Sequence, residues 1–294
     1  MVFGIFPNLE KDKIFDSLRE LLEILESKEL PYIFPKEMKE NLEKQGICIP
    51  ARNYSDIPGM GEKCDVILSM GGDGSFLGTA RTFCNYPVKM VGIHLGDLGF
   101  LNSMTANDMR EKIDRICTGD YILESRSFLC SRLSTVSGES RCFSDVLNDI
   151  VIGHNKIGSL SRLNLWINGK HIQEYAADGI VVSTATGSTG YSLSCGGPVL
   201  SPDDTGIIVI PICAHTLQRF ALVLKKTDVI QITAPERERE LNISLDGDES
   251  QPFSPGDVLT IREAEKPIRF IRFRDQNFFS TINSKLIRKV NKNS

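Results

Sequence analysis

The spacing of apolar residues along this chain changes once, near Ser125, and the two halves cannot share one kind of layer. Before the change, residues 2–6 (VFGIF), 65–70 (DVILSM) and 89–94 (KMVGIH) are apolar runs of strand length, and 31–34 (PYIF) is a further strand candidate. Helical patterns lie between and after them. Residues 11–28 place Ile14, Leu18, Leu21, Leu22 and Leu25 on one face, 76–83 follow a glycine-rich turn, and 107–117 carry Met109, Ile113 and Ile116. Strands alternating with helices predict a parallel sheet covered on both faces.

From 127 to 271 the signals are short strands and turns. Leu163, Leu165 and Ile167 alternate with polar residues, Asn168-Gly169 supplies the positive-φ pair of a tight hairpin, and Ile172 falls on the returning strand. Further strands are expected at 207–210, 229–233, 241–245, 258–261 and 268–273, and the alternating charges of 236–240 (ERERE) suit a solvated turn. This half reads as all-β, without an internal repeat. A length of 294 residues suits two domains.

Composition narrows the function classes. Hydrophobic residues at 41% and charged residues at 24% are ordinary for a globular protein, and a net charge of −4 argues against nucleic acid as a partner. No apolar run reaches the ~20 residues that span a bilayer. The apolar start lacks a basic flank and is broken by Pro7 and Asn8, so no signal peptide is expected. The eight cysteines are scattered without a C-x-x-C pair, which predicts reduced thiols in a cytoplasmic protein. None of the four histidines has zinc-ligand spacing to a cysteine, so no protein-held metal site is expected.

Three motifs carry chemistry. Gly71-Gly72-Asp73-Gly74-Ser75 lies between a buried strand and a helix. Its glycines let backbone N–H groups approach an anion, and the helix adds its positive end, which together suit phosphate. It matches neither G-x-G-x-x-G nor a P-loop. Asp73 beside phosphates suits a base toward a substrate hydroxyl; the plainer alternative is an aspartate that caps the helix. Asn148-Asp149 opens an apolar run and suits a pair of vicinal hydroxyls such as those of a ribose, or a polar turn before a strand. Residues 178–194 (DGIVVSTATGSTGYSLS) are a strand running into a loop of small polar residues and one tyrosine, suited to a nucleotide.

Taken with LGDLGFL (95–101), GGPVLSP (196–202), PICAHTL (211–217) and LDGD (245–248), these motifs resemble the NAD kinase family in content and order. The resemblance covers most of the chain, and its DG…TGST-Y…GGP stretch is far more specific than GGDG, which phosphofructokinases and lipid kinases also carry. It implies an α/β domain with a Rossmann-like parallel sheet followed by an all-β domain, the tail returning to the first: 1–125 with 275–294, and 126–274. It implies ATP and NAD as substrates, a divalent metal (Mg²⁺) brought with ATP, and a homodimer or homotetramer. Asp73 matches the family's catalytic base for the ribose 2′-hydroxyl, with Gly74 beside the substrate and Gly71, Gly72, Gly74 and Ser75 toward phosphate. Phe100 matches an aromatic that packs at the dinucleotide, and Asn148 and Asp149 the pair that holds a ribose. Asp178 matches a dinucleotide-binding aspartate. Thr189, Gly190, Tyr191, Ser192, Leu193 and Ser194 match the loop at the adenine end.

This sequence departs from the family's usual pattern at Asp149 (Glu in most members), Gly190 (Ala), Ala176 (basic or polar) and Ser75 (Thr). The shorter Asp149 and the looser Gly190 bear on affinity and on the choice between NAD and NADH. Two rival readings are a GGDG kinase acting on a sugar phosphate or a lipid, and a catalytically silent NADP sensor.

Overall fold

The computed structural model describes residues 1–11, 13–96, 99–154, 160–215, 220–247, 249–283 and 285. The chain divides into two compact units, Met1–Ser125 with the segment from Ile268, and Arg126–Pro267.

The first unit runs β1 (Phe3–Pro7), α1 (Ile14–Ser27), β2 (Tyr32–Pro35), α2 (Lys39–Lys44), β3 (Tyr54–Ser55) and α3 (Ile57–Lys63). It continues through β4 (Val66–Gly71), α4 (Asp73–Phe83), β5 (Lys89–His94), β6 (Met104–Thr105), α5 (Met109–Thr118) and β7 (Ile122–Arg126). Within its sheet β3-β2-β1-β4-β5 follow one another, each neighbouring pair parallel, and the sheet continues beyond β5. All six residues of β4 are buried, as a central parallel strand requires, and the hydroxyl of Ser69 inside it is satisfied by Thr79 of α4 at 2.8 Å. The stripe of α1 that faces the core comprises Ile14, Leu18, Leu21, Leu22, Ile24 and Leu25. Successive strands run outward from β1 in both directions, so the ends of β1 and β4 form the point where such sheets bind ligands. The glycine-rich loop lies there: Asn8, just past β1, donates its N–H to Met70 O at 2.9 Å and its side-chain amide to Ser75 Oγ at 2.9 Å.

The second unit runs β8 (Leu129–Ser134), β9 (Ser140–Cys142), β10 (Asp149–Gly153), β11 (Ser161–Ile167), β12 (Lys170–Ala177), β13 (Gly179–Ser183) and the short helix α6 (Tyr191–Ser194). Then follow β14 (Ile207–Ile212), β15 (Leu222–Leu224), β16 (Ile230–Thr233), β17 (Leu241–Leu245), β18 (Glu249–Phe253) and β19 (Val258–Glu263). They form two antiparallel sheets, β15-β14-β13-β10-β17-β18 and β12-β11-β16-β19-β8-β9. Their inner faces share one core, in which Ile150, Ile152, Ile180 and Val182 of the first sheet meet Leu163, Leu165, Ile232 and Ile261 of the second. Asn168 and Gly169 both take positive φ (51° and 74°) in the β11–β12 hairpin, as an Asn-Gly pair predicts.

Two expectations change. Residues 268–273 were assigned to the β half; instead β20 (Ile268–Arg272) crosses back and pairs in parallel with β5, so the return begins before Asp275. It is followed by α7 (Phe278–Ile282), and 286–294 of the expected tail lie outside the described residues. The helix after the glycine-rich loop begins at Asp73, with Gly72 as its N-cap and no side-chain cap, so the capping alternative for Asp73 does not hold.

Candidate active site

In the first unit, the N-terminus of α4 opens immediately past the end of β4. Its first-turn N–H groups lack intrahelical partners and carry the helix's positive end. A Cβ on Gly71 would collide with Ser75, whereas one on Gly74 would meet nothing within 4 Å, so the loop is tight at its base and open at its tip. Asp73 is the first helical residue, and its carboxylate is drawn back onto the segment after β5. Phe100 N donates to its Oδ2 at 2.8 Å, while Leu101 N (3.2 Å) and the Asn102 side-chain amide (2.8 Å) donate to its Oδ1. Gly99 makes this approach feasible, because a Cβ there would run into the carboxylate. Asp97 and Leu98 of the LGDLGFL stretch lie outside the described residues.

The other side of the 100–103 segment is held by β20. Arg272 donates from Nη1 to Leu101 O (2.7 Å) and Ser103 Oγ (2.8 Å), and from Nε to Glu124 at 3.1 Å. Gln276 donates its side-chain amide to Ser103 O at 2.7 Å. Phe100 is thus fixed through its backbone on both sides, with its ring half-buried. His94, at the end of β5, accepts the Gly96 N–H on Nδ1 at 3.0 Å, which leaves the proton of a neutral ring on Nε2, beside Gly72.

In the second unit, Asn148 and Asp149 stand at the start of β10. Their backbone is gripped from the β17–β18 turn: Leu147, Asn148 and Asp149 donate their N–H groups to the Asp246 carboxylate at 3.0, 2.8 and 3.1 Å. Asp246 N returns a bond to Asp149 O at 3.0 Å. Asp149 is 6% exposed, and its carboxyl is pushed up to about 7, first by burial and then by the charge of Asp246, against a hydrogen bond from the backbone of Tyr191. The loop after β13 packs on the same spot. A Cβ on Gly187 would collide with Asn148 O, and Ser183 Oγ donates to that carbonyl at 3.1 Å. An alanine methyl at Gly190 would stand 3.2 Å from Gly187 O, 3.6 Å from Asn148 Nδ2 and 3.7 Å from Asp149 Oδ2. Gly190 therefore leaves a methyl-sized space against the pair.

The loop residues divide by exposure. Tyr191 is 45% exposed, with its phenol pushed up mainly by burial of the rest of the ring, and Ser194 is exposed. Thr189 and Leu193 are half-buried, with Thr189 Oγ1 donating to Thr186 O at 3.3 Å. Ser192 is buried against Gly197, so it packs the turn. Asp178 is half-buried at the head of β13, and its charge acts on Tyr191. Thr216, Leu217 and Asp248 of the quoted stretches lie outside the described residues. Gly99, Asn102, His94 and Arg272 were not singled out from sequence, and Asp246 was noted only within LDGD.

Known proteins resemble this chain in sequence and fold. Residues 3–121 match the model of the ATP-NAD kinase N-terminal domain, and residues 147–273 match that of the ATP-NAD kinase C-terminal domain. The chain belongs to the NAD kinase family. Similar curated relatives include the NAD kinase of Thermoanaerobacter sp. (strain X514), 32% identical over 96% of this chain and 98% of its own length. The NAD kinase of Marinobacter nauticus is 31% identical over 96% of this chain and 95% of its own length. Among solved structures, yeast NADH kinase complexed with NADH superposes with a TM-score of 0.87 at 23% identity, covering 97% of this chain and 87% of that one. An NAD kinase from Archaeoglobus fulgidus in complex with ATP gives 0.73 at 22%, covering 97% and 98%. The two-part NAD kinase fold is therefore shared across distant sequences.

Proposed function

We propose that this chain is an ATP-dependent NAD kinase that transfers the γ-phosphoryl group of ATP to the 2′-hydroxyl of the adenosine ribose of NAD, giving NADP and ADP. The observation that carries the reading is Asp73, held at the N-terminus of α4 at the strand ends where parallel sheets bind ligands, inside a glycine-rich loop suited to phosphate. Three N–H donors already occupy its carboxylate, which has about four lone-pair positions, leaving one for a hydroxyl proton. Asp73 takes that proton as the oxygen attacks, and the Gly71–Ser75 backbone orients the phosphates, in a reaction that depends mainly on positioning and charge. Asn148 and Asp149 hold ribose hydroxyls, Phe100 packs at the dinucleotide, Asp178 binds the dinucleotide, and the Thr189–Ser194 loop serves the adenine end.

The divalent metal expected with ATP would ride on the substrate phosphates, as Mg²⁺ characteristically does, with one or two carboxylates. When bound, such a metal neutralises charge on the transferring phosphoryl group. Among the described residues no helix is long and apolar enough to cross a membrane. The scattered cysteines, all free, support a cytoplasmic location. The open edge strands of the β unit support a homodimer or homotetramer.

A single preparation tests the reading. With ATP and magnesium it should phosphorylate NAD, and NADH to an extent that the assay measures, while leaving fructose 6-phosphate untouched. Light scattering should give a mass of at least twice 32.7 kDa. Phosphorylation of the sugar phosphate and not of NAD would favour the rival GGDG kinase, and no turnover with tight NADP binding would favour the sensor.

A further inference from the structure

We propose that Asp246 is a positioning residue for the ribose clamp: by gathering three consecutive backbone N–H groups onto one carboxylate, it sets the direction in which Asn148 and Asp149 present their side chains. The proposal rests on the reading of Asn148 and Asp149 as that clamp.

A strand start is ordinarily a loose place from which to aim two side chains. Here the N–H groups of Leu147, Asn148 and Asp149 converge on Asp246 within 2.8–3.1 Å, and Asp246 N closes the ring onto Asp149 O. In the turn between β17 and β18 that presents Asp246, Asp246 and Gly247 take positive φ of 50° and 81°. The Asn148 carbonyl is fixed from the other side by Thr184 N at 2.9 Å and Ser183 Oγ at 3.1 Å. The backbone of the pair is thus placed by groups other than its own side chains.

The same geometry sets the charge. Asp149 is buried, and the groups that face it are Asp246 from the β17–β18 turn and, from α6, Tyr191 and Cys195. Burial pushes the Tyr191 phenol up and the Cys195 thiol up to about 11, so both are neutral near pH 7. Burial first, and then the charge of Asp246, oppose ionisation of Asp149, whose carboxyl rises to about 7. A carboxylate accepts ribose hydroxyls better than a neutral carboxyl, so NAD affinity should weaken as pH falls through 7.

The test is NAD titration by calorimetry from pH 5.5 to 8.5, with KM values for NAD and ATP, in the wild type, Asp246→Asn and Asn148→Ala. Asp246→Asn keeps the shape but turns an amide toward an N–H donor. Its NAD affinity should fall about tenfold with the KM for ATP unchanged, and its pH midpoint should move below that of the wild type. Unchanged NAD affinity, or a loss with the pH midpoint unmoved, would overturn the proposal. Should Asp246→Asn fail to fold, Asp246→Glu retains the charge at a longer reach, and weaker NAD binding with the midpoint kept is then expected; unchanged binding overturns the proposal. Asn148→Ala separates the two levels: if it binds NAD normally, the clamp reading itself fails, whereas weak binding there beside normal binding in the Asp246 variants overturns the positioning role alone.

Discussion

At the residue scale, burial of Asp149 makes a prediction independent of any ligand. Its carboxyl goes from an ordinary 3.8 in the unfolded chain to about 7 in the folded one. Between those values the folded state holds a proton that the unfolded state has released. The associated stability is full below about pH 4 and is lost as pH rises through 7. Asp149→Asn cannot ionise, so its melting temperature should exceed the wild type's at pH 8.5 and converge with it toward pH 4.5. A three-unit shift corresponds to up to about 4 kcal/mol, or several degrees in a unit of this size. A difference that is the same at both pH values would refute the burial argument. Asn148-Asp149 and Asp73 were legible in the sequence because each belongs to a short run with its own chemistry. Their partners were not: Asp246 lies 97 residues after Asp149, and Asn102 lies 29 after Asp73. No local pattern couples residues so far apart. Gly99 was quoted within its motif, yet its role depends on the Asp73 side chain, which arrives from α4.

Among the elements, β20 was legible as a strand but not as a member of its sheet. The apolar residues of 268–273 look the same whether the strand pairs with an antiparallel or a parallel neighbour. The pairing Arg269↔Lys89 and Phe270↔Met90 decides it, together with Phe270 packed edge-on against Phe76 of α4 at 4.7 Å. The crossing has a consequence for function, because Arg272 at the end of β20 fastens the segment that engages Asp73. Lysine has a point charge where arginine has a fork, and it cannot bridge Leu101 O, Ser103 Oγ and Glu124 at once. Arg272→Lys should keep its circular dichroism spectrum and lose about tenfold in turnover, the equivalent of one or two hydrogen bonds. Unaltered turnover would show that the 100–103 segment needs no such fastening.

For the whole molecule, the change of period near Ser125 falls at the division between the two compact units, since an α/β unit and a β sandwich have different apolar repeats. Each unit has its own core and its own set of functional groups: the glycine-rich loop with Asp73 in the first, the Asn148-Asp149 pair with the 184–194 loop in the second. The most direct measurement is NADP formed per enzyme at saturating ATP by Asp73→Asn, beside a calorimetric NAD titration of the same protein. Asparagine retains an acceptor oxygen for the Leu101 and Asn102 donors but cannot take the hydroxyl proton. Turnover should fall by ~10²–10⁴ while NAD affinity stays within a few-fold of the wild type. Full activity, or a loss of NAD binding in step with the loss of turnover, would contradict the assignment of Asp73 as the base.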